Sequence, residues 1–163
     1  MRSARSIFLR ALLVALIGLP VAHIAIAQDA IDPNARYCDV SMEVRINGRA
    51  VVSPDAIVEF GKEAEITIRD ANQPHGWQLK FVVDEPTTIR RATAMPVRIQ
   101  LFELADDRSF LRAEPHMNLV AGQPASLEMA LEDGRKVSLS VTAAILSGEE
   151  VQAHIDATTE SSD

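Results

Sequence analysis

Beyond residue 27, the histidines His75, His116 and His154, with Met117 and Cys38, are the side chains whose types could make a soft metal site. Imidazoles with a thioether and a thiol form a soft set, which in an exported protein would select Cu(I). Their spacing works against a shared site. His116 and Met117 are neighbours in a segment that alternates as a strand, so they point to opposite faces. Met117 is therefore assigned to the core and the histidines to the surface, with no metal ligand and no cofactor expected. Other chemistries leave no pattern: the chain has no Gly-x-Ser-x-Gly elbow, His-Glu-x-x-His pair, Walker loop or dinucleotide fingerprint. No serine has a neighbouring His or Asp grouping that would activate it. The acids, Glu63 and Glu65 among them, fall on the outward phase of alternating segments. No catalytic residue is assigned, and the chain reads as non-enzymatic.

Cys38 is the only cysteine, so no disulfide can form within the chain. Its functional readings are an intermolecular disulfide, and with it a dimer, or a reactive thiol. Tyr37-Cys38-Asp39 offers no adjacent cation to lower a thiol pKa, which favours an inert small side chain near the first strand. His75 and Trp77 flank Gly76 in a polar loop. A loop imidazole beside the only Trp would suit a recognition patch, but Trp77 is in phase with Leu79, Phe81 and Val83 and so is expected to plug one end of the core.

The N-terminus reads as an export signal. Arg2, Arg5 and Arg10 precede an apolar run from Ala11 to Ala27, interrupted by Gly18 and Pro20, and Ala25-Ile26-Ala27 suits a cut between Ala27 and Gln28. The run of 17 residues is short for a membrane span, which usually needs about 20. No span is expected once the signal is removed, and the protein is assigned to the periplasm or the exterior. Three of the 16 basic residues and none of the 23 acidic ones lie in the signal, leaving 13 against 23, a net charge of −10. Scattered Lys and Arg argue against nucleic acid as a partner. The acidic surface instead favours a basic protein partner. The pairs Arg90-Arg91 and Arg135-Lys136 are read as solvated surface.

What must position these residues is a duplicated β unit. Pro54, Gly61 and Ala64 recur 61 residues on as Pro115, Gly122 and Ala125, each followed by an alternating apolar strand. Asn47-Gly48 supplies the two positive-φ residues of a type I′ hairpin after Met42, Val44 and Ile46, with Ala50 and Val52 returning on the apolar face. Pro54 lacks an amide hydrogen and must break or bend its strand. Further inward rows are Ala56-Val58-Phe60, Ala64-Ile66-Ile68 and Trp77-Leu79-Phe81-Val83. The second copy offers Val97-Ile99-Leu101, a loop from Glu103 to Ser109, Met117-Leu119-Ala121, Ala125-Leu127-Met129-Leu131 and Val137-Leu139-Val141-Ala143. The domain plan is a signal at 1–27, a mobile arm at 28–39, a duplicated β-domain at 40–147 with copies at about 40–85 and 96–147, and an acidic tail at 148–163. Pro86 to Met95 is the expected connector, and Glu149 to Ala157 allows a short helix with Val151 and Ile155 one turn apart. The fold class is all-β, an antiparallel sandwich or partly open barrel of two tandem repeats packed face to face.

The stretch from Pro115 to Met129, a Pro, alternating residues, a Gly, a spacer and an Ala that opens an apolar strand, resembles the β-hairpin segment of bacterial secretins and of small exported proteobacterial proteins. The resemblance covers about 15 residues in each copy and implies a β-domain of the bacterial cell envelope, without a pore function or any site residue. The expected function is thus an exported β-domain acting through protein contacts, as an adaptor, an assembly factor or an inhibitor with an acidic surface. A periplasmic copper handler is the other class, and a hydrolase with an unrecognised site is a third.

Overall fold

The computed structural model describes residues 31–69, 75–89, 92–106 and 108–160. The export segment, the Ala27/Gln28 cut and Arg90-Arg91 lie outside the described residues. Eleven strands and one helix follow in order: β1 (Arg36–Ile46), β2 (Arg49–Val52), β3 (Asp55–Glu59), β4 (Glu63–Arg69), β5 (Gly76–Val83), β6 (Thr87–Ile89), β7 (Ala92–Ala105), β8 (Arg108–Ala113), β9 (His116–Val120), β10 (Ala125–Ala130), β11 (Lys136–Ser147) and α1 (Gly148–Glu160).

The strands form two antiparallel sheets, and no barrel closes. In the first, the order is β10-β11-β1, and β1 carries β2 and β3 end to end on its far side. In the second, the order is β4-β5-β7, and β7 carries β8 and β9 end to end on its far side, with the short β6 continuing the line of β5. The second copy repeats the first in register. Val40 pairs with Ala56 as Val97 pairs with Met117, and Val44 pairs with Val52 as Leu101 pairs with Ala113. Both hairpins shift register at the same place, beside Val44 and beside Leu101.

The repeated Pro and Gly each have a defined duty. Pro54 and Pro115 stand where β2 gives way to β3 and β8 to β9, so the missing amide falls in a break of the partner strand. Their carbonyls still accept bonds from the Met42 and Ile99 amides, both at 3.0 Å. Gly61 and Gly122 stand where the chain crosses from one sheet to the other. They take φ of 75° and 73°, and their amides donate to the Val83 and Ala143 carbonyls, both at 2.8 Å. A positive φ costs a residue with a Cβ roughly 1–2 kcal/mol, which is why glycine occupies both corners.

Crossing at those corners changes how the copies combine. Neither copy forms a sheet of its own: β1, flanked by β2 and β3, pairs with β11 of the other copy's β10–β11 hairpin, and β7, flanked by β8 and β9, pairs with β5 of the β4–β5 hairpin. Face-to-face packing of two self-contained copies is thus replaced by exchanged hairpins. The inner rows read from the alternation line the shared core, including Val40, Val44, Leu79, Phe81, Val97, Ile99 and Val141, each no more than 2% exposed. Three readings of phase need correction. Ala50 is exposed beyond the register shift, Ala121 is exposed in the turn after β9, and Leu127 is only half-buried because no described strand lies beyond the edge strand β10.

The described residues flanking the β-domain are docked more firmly than expected. The stretch at 28–39 is not a free arm where it is described, since β1 starts at Arg36 and Tyr37 and Cys38 are buried. Within the expected acidic tail, the described residues dock against the β-domain. Residues 148–160 are helical, and Val151 (1% exposed) and Ile155 pack with Ile31, Ala35 and Leu146 over Tyr37 and Ile57 on the outer side of the first sheet. Ser147 and Glu150 form a capping box: the Glu150 carboxylate accepts from the Ser147 amide (2.7 Å) and hydroxyl (2.8 Å), and the Ser147 hydroxyl accepts from the Glu150 amide (3.3 Å). Gly148 faces the Asp32-Pro33 backbone so closely that a Cβ would stand 2.7 Å from Pro33 Cα. The connector from Pro86 to Met95 contains β6 and the start of β7, which pair as a hairpin. Pro96, inside β7, is tolerated because its carbonyl faces Asp84 (2.9 Å) in the gap between β5 and β6, where no strand asks for its amide.

Candidate functional site

The segment from Glu103 to Ser109 is not a loop. β7 runs to Ala105, the chain turns at Asp106 (φ 49°) and returns as β8, with Ala105 opposite Arg108. The spacing of the repeat contained that signal, because Pro54 is preceded by a strand and Pro115 must be preceded by its equivalent. Among the described strands β8 pairs only with β7 and is an edge. It carries the two exposed large hydrophobic residues of the described chain, Phe110 (41%) and Leu111 (49%). Phe110 lies opposite Glu103 and Leu111 opposite Phe102, so they occupy opposite faces of the sheet.

Beside Phe110, one end of the sandwich is closed by charge. Arg135, in the turn from β10 to β11 of the first sheet, reaches across to Glu103 on β7 of the second. Its two terminal nitrogens meet both carboxylate oxygens, at 3.1 and 2.7 Å. Its Nε donates to Asp133 at 2.8 Å, and its guanidinium stands 5.7 Å from the centre of the half-buried Trp77 ring. Arg112 adds a bond from Nε to Glu103 at 2.8 Å and lies 5.4 Å from the centre of the Phe110 ring. The hydrogen bond from Arg135 is the largest cause holding the Glu103 carboxyl below its ordinary range, and Asp133 is lowered by the same donor. Arg135 is in turn pushed further into its charged form. Arg135 is therefore not a solvated turn residue but the clamp between the sheets. A carboxylate locked in this way is a poor general base. In the repeat-equivalent corner, Ile46 stands opposite Val137 where Glu103 stands opposite Trp77, so the carboxylate of the clamp has an apolar counterpart there.

The residues singled out for metal chemistry are not brought together. Cys38 is fully buried in the core between the sheets, His116 is exposed on β9, Met117 is turned toward the core, and His154 is on α1. Among the described residues no three His, Cys, Asp or Glu side chains converge, so this set does not fit an ion. Cys38 also cannot serve the intermolecular disulfide considered for it. Burial, with a smaller effect from the charge of Asp39, pushes its thiol up to about 12, and no second chain reaches it without opening the core. His75 is exposed beside the half-buried Trp77. On the outer face of the first sheet, the break at Ser53-Pro54 leaves a shallow groove of about 230 Å³ lined by Ser41, Glu43, Asp55, Ser140 and Thr142, whose hydroxyls and carboxylates offer hydrogen bonds to solvent. No described helix is long and apolar enough to cross a membrane. No protein family, curated protein or solved structure matches this chain.

Proposed function

We propose that this chain is an exported β-domain of the bacterial cell envelope that acts through protein–protein contacts, as an adaptor, assembly factor or inhibitor, without catalysis of its own. The β8 edge carries the reading. A strand with one free side presents unpaired N–H and C=O groups that a second strand can satisfy, and side chains on both of its faces can then grip the newcomer. β8 offers Phe110 on one face and Leu111 on the other. Two other edges carry acids: β4 has Glu63 and Glu65, and β10 has Glu128 on its exposed face, with Leu127 and Met129 half-buried on the other.

The test is site-specific photocrosslinking in intact cells of the native host. A photoreactive residue at Ser109 is expected to capture one discrete envelope protein, and Leu111→Asp is expected to remove that product. The same probe at Glu128 on β10 should give none. Equal capture at both edges, capture indifferent to Leu111→Asp, or retention of full-length protein in the cytoplasm would refute the reading.

A further inference from the structure

The β8 edge has a sign as well as a shape. Its six residues include Arg108 and Arg112 and no acid, in a chain that carries −10 after residue 27. Charges more than about 8 Å away are largely screened at physiological ionic strength, so a strand laid along β8 feels the charges on and beside that strand rather than the net charge of the whole chain. Arg108 has no ion pair among the described residues. Arg112 meets Glu103 through Nε, but Arg135 already occupies both oxygens of that carboxylate. The acids that bound the strand stand at its ends: Asp106 in the turn before it, Asp107 next to Arg108 in the sequence, and Glu114 after it, the last accepting a bond from Gln100 at 2.8 Å. Between those ends the edge is basic and apolar.

Resting on the function proposed above, we propose that β8 takes an extended acidic segment of a partner protein as an added antiparallel strand. Its carboxylates would meet Arg108 and Arg112, and its apolar side chains would cover Phe110 and Leu111. A second copy of this chain fits less well. Two β8 strands paired antiparallel about Phe110 would set Arg108 of each opposite Arg112 of the other, and like charges directly opposite are unfavourable. The overall acidity of the chain argued for a basic partner, but the sign of this edge argues for the reverse.

Fluorescence anisotropy on the chain from Gln28 onward tests the sign directly, with a labelled peptide of about six residues alternating glutamate and valine and a lysine–valine counterpart. The acidic peptide is expected to bind about tenfold more tightly than the basic one, an advantage that falls with added salt. Arg108→Glu should shrink or reverse that preference, and Leu111→Asp should abolish binding of both. Equal binding of the two peptides, or a preference unmoved by Arg108→Glu, overturns the acidic partner while a Leu111-dependent crosslink at Ser109 keeps the edge reading intact. So does a failure of both peptides to bind while that crosslink persists. Loss of the crosslink as well removes both readings. A dimer in sedimentation that Leu111→Asp dissociates would assign the edge to a second copy and overturn the inference.

Discussion

Arg135→Met and Glu103→Gln, made singly and together, isolate the bond between the two sheets from everything else these side chains do. Exposed ion pairs usually couple by about 0.2–1 kcal/mol. Here the pair is bidentate and its side chains keep only 27% and 21% of their exposure, which points to the upper end of that range. Neither partner is orphaned by the other's loss, because Arg135 retains Asp133 and Glu103 retains Arg112. The expected coupling is therefore about 1 kcal/mol, or a few degrees in Tm for a domain of this size. Urea denaturation of the four proteins at neutral pH measures it, and acid gives the second axis. The folded pKa of Glu103 lies below its unfolded value of about 4.3, so its contribution is complete above that value and is lost as pH falls through the folded one. The coupling should be unchanged down to about pH 5 and should fall as the pH is lowered further. A coupling below about 0.3 kcal/mol at neutral pH, or one that grows as the pH is lowered, would refute the clamp.

Three further outcomes follow from the repeat and the core. Gly61→Ala and Gly122→Ala should each cost about 1–2 kcal/mol and by similar amounts, since both hold the same positive φ with open space around them; denaturant midpoints that differ by more than about 1.5 kcal/mol would break the equivalence of the two corners. Ile66→Ala, at 3% exposure, should cost about 2–5 kcal/mol, the half-buried Leu127→Ala clearly less, and Glu65→Ala or Glu128→Ala least; equal losses at all four would put the register out by one residue. Cys38 should resist a thiol reagent at pH 8 in the native protein and react fully in denaturant, because its thiol is buried and held at about 12; rapid native labelling would contradict that burial.

The inward rows were legible because a period of two needs only the order of residues, and rows such as Val97-Ile99-Leu101 and Leu139-Val141-Ala143 occupy the core as read. Asn47-Gly48 was legible for the same local reason. Strand exchange was not, because a repeat looks the same whether its hairpin folds back on its own copy or crosses to the other. That choice is made at Gly61 and Gly122, whose φ is a structural fact. β8 was missed although the spacing before Pro115 demanded it, since Arg-Ser-Phe-Leu-Arg breaks the alternation through its register shift. The capping box at Ser147 and Glu150 was present in the sequence and would have announced a stable helix. The clamp had no such signal: Arg135 and Glu103 lie far apart in the chain, and only the sheet packing brings them within reach.

The exchanged hairpins also set the order in which the chain can fold. Arg36 pairs with Ser147, and β1 finds its main neighbour in β11, the last strand. Contacts so distant in sequence close a large loop before they return any stabilisation, which slows folding. The first sheet has no finished form until the final strand has left the ribosome. A polypeptide that must be threaded unfolded through a translocation channel, as proposed for this one, would be kept loose by its own topology until the far side of the membrane, with less dependence on a chaperone to hold it open.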